Sequence, residues 1–147
     1  MNYFVVCIGN REGGDDAIGP FIADILKKKS LDDMNVLDVG IAPENFTGVV
    51  KKKNSDIVLL IDAIDMNLKA GDIRQVPKQQ IGVMHVSTHG IPLSILMNYL
   101  EQYIKRVILI GIQPKQLKGS LSEEVKAAGI RLADYIIMKK IEQIPIL

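Results

Sequence analysis

The chain has 147 residues, 48% of them hydrophobic and 24% charged, with one cysteine and a net charge of +1. That length suits one domain over residues 1–147 with a single substantial core. The near-neutral balance offers no field to attract nucleic acid or an acidic membrane, and one cysteine excludes an internal disulfide. No apolar run approaches the roughly 20 residues of a membrane span. The opening "MNYFVVCIGN" lacks the charged segment and the length of a secretion signal. The expectation is a cytoplasmic monomer that engages neither nucleic acid nor membrane.

In chain order, Tyr3–Ile8 reads as a strand buried on both faces, and Ile18–Lys29 as a helix with Ile18, Ile22, Ile25 and Leu26 on one stripe. Asn35–Val39 reads as a second strand. Asn45–Lys53 reads as a short helix capped by Asn45 and closed by lysines that suit its C-terminal dipole. Asp56–Ile61, "DIVLLI", is the clearest strand and is near-continuously apolar, as in a parallel sheet. Ile73–Val76 is a weaker fourth strand. A third helix spans Pro92–Ile104, a fifth strand Val107–Ile110, and a fourth helix about Leu121–Glu142, with Ser120 and Glu123 spaced as a capping box.

Alternating strands and helices imply an α/β sheet covered on both faces. The connection between strands three and four, "DAIDMNLKAGD", is too short and too irregular for a parallel crossover. The fourth strand is therefore expected to run antiparallel at an edge. Ligands of such sheets bind outside the carboxyl ends of the parallel strands. Asp15 and Asp16 follow strand one there, Asp38 ends strand two, Asp62 ends strand three, and His89 precedes the third helix.

The turn "CIGNREGGDDAIGP" asks why a glycine loop between strand and helix should be acidic. It has the glycine spacing of a phosphate loop, but Asp15 and Asp16 replace the Lys and Ser/Thr that phosphate requires. Two carboxylates and a neutral imidazole suit a divalent transition metal better than an anion, and three ligands leave coordination positions open. Each residue also has a plain structural reading. Asp15 or Asp16 can cap the first helix, Asp62 and Asp65 can bond loop amides, and a lone histidine is more often a surface or capping group than a ligand. Cys7, mid-strand, reads as a core residue. The runs Lys27–Lys29 and Lys51–Lys53 read as solvated helix ends.

The segments "GNREGGDDAIGP" (Gly9–Pro20), "DVGIAPEN" (Asp38–Asn45), "IDAIDM" (Ile61–Met66), "STHGIPL" (Ser87–Leu93) and "GIQP" (Gly111–Pro114) together resemble the hydrogenase maturation proteases. These endopeptidases process the large subunit of [NiFe] hydrogenases. The resemblance implies a three-layer α/β/α sandwich on a five-stranded mixed sheet of order 2-1-3-5-4, with strand four antiparallel. It implies metal contact through Asp16, Asp62 and His89, which are also the implied catalytic residues. Asp15, Asp38, Glu44 and Asn10 would lie around the metal or against the substrate. It further implies that a short C-terminal peptide is removed from the large-subunit precursor after nickel insertion, the nickel being contributed by the substrate. The ion either activates the scissile bond or positions it for a carboxylate base. Arg11–Glu12–Gly13 and Ala17 depart from the family's usual turn, and His85 has no family role. Two rival readings are a hydrolase of similar fold acting on another substrate, such as peptidyl-tRNA, and a non-catalytic metal-binding or chaperone-like module for hydrogenase precursors.

Overall fold

A computed structural model of the chain describes residues 1–82, the backbone of 85–86, and residues 91–147. Six strands, β1 (Tyr3–Ile8), β2 (Met34–Gly40), β3 (Ile57–Asp65), β4 (Ile73–Gln75), β5 (His85–Val86) and β6 (Arg106–Ile112), form one mixed sheet. Its main path is β2-β1-β3-β6-β4, with β5 paired off that path to β3. Setting the two-residue β5 aside, this is the expected 2-1-3-5-4 order. β1, β2, β3 and β6 are parallel, and β4 runs antiparallel to β6 at the edge. The connection from β3 to β4 contains no helix, as its length required.

The sheet is buried on both sides, which is why β1 and most of β3 are apolar without alternation. On one face α1 (Ile18–Lys29) and α5 (Glu123–Ile137) pack over Val5, Cys7, Leu59, Ile61 and Ile110. On the other, α2 (Thr47–Lys52) and α4 (Leu93–Leu100) cover Phe4, Val6, Ile8, Leu60 and Leu109, with α3 (Lys78–Ile81) packed on α4. Each fully buried Ile or Leu contributes about 1.5–3 kcal/mol relative to exposure. Gly19 lets α1 lie against β1: a Cβ there would fall 2.2 Å from the Ile8 carbonyl oxygen.

The first strand and the first helix have the expected bounds. Several other elements differ for local reasons. β3 continues past Ile61 to Asp65 because β6 pairs with it through Ala63 and β5 pairs with Ile64 and Asp65. Asp62 is therefore inside the strand and not at its end. The segment expected as one helix from Asn45 is a 3-10 turn (Pro43–Phe46) followed by α2, with no side-chain cap from Asn45. The last helix starts at Glu123 with Ser122, not Ser120, at the N-cap position. It stops at Ile137, where Lys139 takes a left-handed conformation and the Lys140 N–H reaches back to the Tyr135 carbonyl. The chain then returns to the sheet edge. The Gln75 N–H donates to the Pro145 carbonyl at 2.8 Å, and the Leu147 N–H to the Gln75 carbonyl at 2.9 Å, so the outer rim of β4 is covered. Among the described residues no helix is long and apolar enough to cross a membrane.

Candidate active site

The turn after β1 closes on itself. The Gly13 N–H donates to the Asn10 carbonyl at 3.0 Å, and the Asp16 N–H to the Gly13 carbonyl at 3.1 Å. Residue 9 must be glycine here, since a Cβ would lie 2.0 Å from the Asp16 carbonyl oxygen. The result is a one-turn 3-10 segment, Gly14–Ala17, that feeds directly into α1 and packs against β3.

Its two carboxylates, both buried, have different partners. Asp15 Oδ2 accepts from the Lys115 N–H (2.8 Å), the Gln116 N–H (3.0 Å) and Ser122 Oγ (2.8 Å), while Oδ1 accepts from the Ser122 N–H at 2.6 Å. Burial alone would raise its pKa, but the hydrogen bonds from Ser122, Lys115 and Gln116 outweigh burial and hold it below the ordinary value of 3.8. Asp15 is thereby a fixed anion that ties the glycine turn to the loop between β6 and α5. Neither aspartate caps a helix through its side chain. Asp16, 6% exposed, accepts the Asn10 N–H on Oδ2 at 3.0 Å.

Asp62 is 0% exposed and sits opposite Gly111 of β6. Side chains alternate along a strand. Leu60 and Ile64 face α2 and α4, so Asp62 faces that side too. β5 runs antiparallel to β3, with His85 opposite Asp65 and Val86 opposite Ile64. His89 and the side chain of His85 lie outside the described residues. Among the described residues no three His, Cys, Asp or Glu side chains are grouped to hold a metal.

Asp38 is held on the other side. Its Oδ1 accepts the Gly40 N–H at 3.1 Å and its Oδ2 accepts Arg11 Nη2 at 2.9 Å. Arg11 also forms a two-point contact with Asp24 of α1, at 2.8 and 2.9 Å. The departure at position 11 thus clamps the turn between α1 and β2. Asn10 Oδ1 accepts the Glu12 N–H at 2.9 Å, and its side chain is committed to the turn. Gln113 is a structural residue that its motif did not explain. Its Oε1 accepts the Met66 and Leu68 N–H groups at 2.7 and 3.2 Å, and its Nε2 donates to Asp65 Oδ1 at 3.1 Å. It secures the carboxyl end of β3. Cys7 is fully buried and its thiol pKa is pushed far up, chiefly by burial. It is a core residue and not a nucleophile.

Glu44, in the 3-10 turn after β2, lines a cleft of about 250 Å³ with Thr47, Ile91, Ile95, Leu96 and Tyr99. Its Oε2 is buried and accepts no hydrogen bond among the described residues.

A family model described as hydrogenase maturation protease matches residues 21–139. The chain is 36% identical to the hydrogenase 3 maturation protease of Escherichia coli over 115 residues, which is 78% of this chain and 74% of that one. The solution structure of the endopeptidase HycI from E. coli superposes with a TM-score of 0.91 at 29% identity, covering 100% of this chain and 97% of the other. The crystal structure of the [NiFe] hydrogenase maturation protease HycI from Thermococcus kodakarensis gives a TM-score of 0.84 at 32% identity, covering 93% and 90%. With the sheet order, the acidic glycine turn and these matches in agreement, the chain belongs to the hydrogenase maturation protease family and is a hydrolase of the endopeptidase type.

Proposed function

We propose that this endopeptidase removes a C-terminal peptide from the nickel-loaded large-subunit precursor of a [NiFe] hydrogenase, and that Asp16, Asp62 and His89 meet the nickel carried by that substrate. Family membership supports the reaction class. The observation that carries the site is the division of labour in the glycine turn. Asp15 is saturated by four hydrogen bonds from the β6–α5 loop. Asp16 stands beside β3 on a turn that packs against that strand, whose own buried carboxylate is Asp62. β1 and β3 are adjacent and parallel, so both aspartates belong to one carboxyl edge.

Buried carboxylates are stabilised by a cation and favour a substrate that brings one. The nickel is part of the substrate, and its open positions admit carboxylate oxygens. Recognition is then coupled to metal status, because only a nickel-loaded precursor brings a cation to these carboxylates. The protein acts as a monomer on one precursor chain. The peptide bond is broken by water, with its two new ends carried off by the mature subunit and the released peptide.

The test is to incubate the purified enzyme with metal-free and nickel-loaded precursor in parallel and to read the C-terminal masses. Shortening of the loaded precursor alone is the expected result. Equal cleavage of both would remove metal sensing from Asp16 and Asp62. A stable complex of two full-length chains would favour the non-catalytic binding module.

A further inference from the structure

We propose that the cleft between α2 and α4 holds a segment of the precursor polypeptide, and that Glu44 pairs there with a basic side chain of that segment. The inference rests on the reading of the chain as a maturation protease and names a specificity residue for it. The cleft walls are apolar except for Glu44 and Thr47: Ile91, Ile95, Leu96 and Tyr99 supply the rest. The surface around it stays apolar, with Ile95 56% exposed and Tyr103 51% exposed. Such a surface suits a partner that covers it. Glu44 lines this cleft, and its Oε2 is buried with no donor among the described residues. The Thr47 hydroxyl turns instead to the Glu44 carbonyl, at 3.4 Å.

Two lysines of this face are engaged elsewhere among the described residues. Lys51 Nζ donates to Tyr99 Oη at 3.0 Å and stands 4.2 Å from the Tyr103 ring centre, which braces the aromatic wall. Lys78 Nζ donates to Asn98 at 2.9 Å and pairs with Glu101 at 2.7 Å. A ligand entering the cleft must therefore bring its own cation. A basic side chain gains a charge-assisted hydrogen bond, and an acidic or purely apolar one leaves the carboxylate oxygen unpaired. The cleft also lies on the α2/α4 face of the sheet, the face toward which Asp62 points.

The experiment is a double-mutant cycle read by binding and by cleavage. Nickel-loaded precursor, and precursors with each Lys, Arg and His of the C-terminal segment changed in turn to Gln, are titrated onto wild-type enzyme and Glu44→Gln. We expect Glu44→Gln to weaken binding about tenfold or more. One precursor substitution should match that loss, and the two together should cost no more than either. Glu44→Lys should recover binding to a precursor carrying Glu at that same position. Unfolding curves of both variants establish that the fold is retained. Undiminished binding by Glu44→Gln, or losses that add independently for every basic residue, would overturn the proposal. So would self-association of the free enzyme that Glu44→Gln abolishes, which would give the cleft to a second copy. Absence of cleavage by wild-type enzyme would overturn the protease reading, while the binding cycle still decides the role of Glu44.

Discussion

The two faces of the sheet are built on the same strands and are finished differently. On one, α1 and α5 are 12 and 15 residues long and pack on each other as well as on the sheet. On the other, α2 and α4 have 6 and 8 residues, and large apolar side chains such as Ile95 and Tyr103 stay at the surface beside a cleft. The polar groups follow the same division. Asp38 and Asp24 are tied by Arg11 on the α1 side, and Asp15 is tied to the start of α5. Asp62 and Glu44 face the open side. The difference teaches that one face anchors the glycine turn, while the other carries the proposed site. Substitutions on the closed face should therefore cost stability, and those on the open face should cost function.

The largest effect is expected at Asp62. Asp62→Asn keeps the volume and removes the charge, so processing of nickel-loaded precursor should fall on the order of a thousandfold or more. The circular dichroism spectrum and denaturation midpoint should stay near wild type. A variant that cleaves normally would break the assignment of function to the open face.

Next comes Gly19→Ala on the closed face. Its Cβ would meet the backbone of Ile8 at 2.2 Å, and backbone cannot rotate aside as a side chain can. A loss of about 3 kcal/mol is expected in urea unfolding, without selective loss of activity in the folded fraction.

Asp15→Ala should cost about 2 kcal/mol, because it strands the Lys115, Gln116 and Ser122 N–H groups. The same residue sets a pH dependence. Its folded pKa is depressed below the ordinary 3.8, so the unfolded chain takes up the proton first as pH falls. The stability it contributes is present above about pH 4 and is lost as pH falls through the folded value. Denaturation midpoints from pH 6 to pH 2 should decline for the wild type, and Asp15→Asn should flatten that decline.

The smallest effect is expected at Arg11. Its ion pairs with Asp24 and Asp38 are exposed at the arginine end, where solvent screens them. Arg11→Ala should shift unfolding by less than about 1 kcal/mol. A lower kcat at unchanged stability would show that clamping the turn matters to the reaction more than to folding.

Much of this protein was determined by local sequence. The apolar runs of β1 and β3, the stripe of Ile18, Ile22 and Leu26 on α1, and the short irregular link to β4 specified a mixed sheet with an antiparallel edge. Side-chain period and loop length are short-range constraints, so they can be read along the chain. The acidic glycine turn was equally legible as an unusual place for charge. Which aspartate is tied to the β6–α5 loop was decided only by tertiary structure. Asp15 and Asp16 are adjacent and chemically identical, and they differ because Ser122, 107 positions away, reaches one and not the other. The end of the last helix was hidden for a related reason. Lys139 adopts a left-handed conformation without glycine, since surrounding contacts override its intrinsic preference. The cleft beside Glu44 was hidden as well. Glu44 and Ile95 line it together because both pack over the same face of the sheet, and no spacing in a linear sequence records that arrangement.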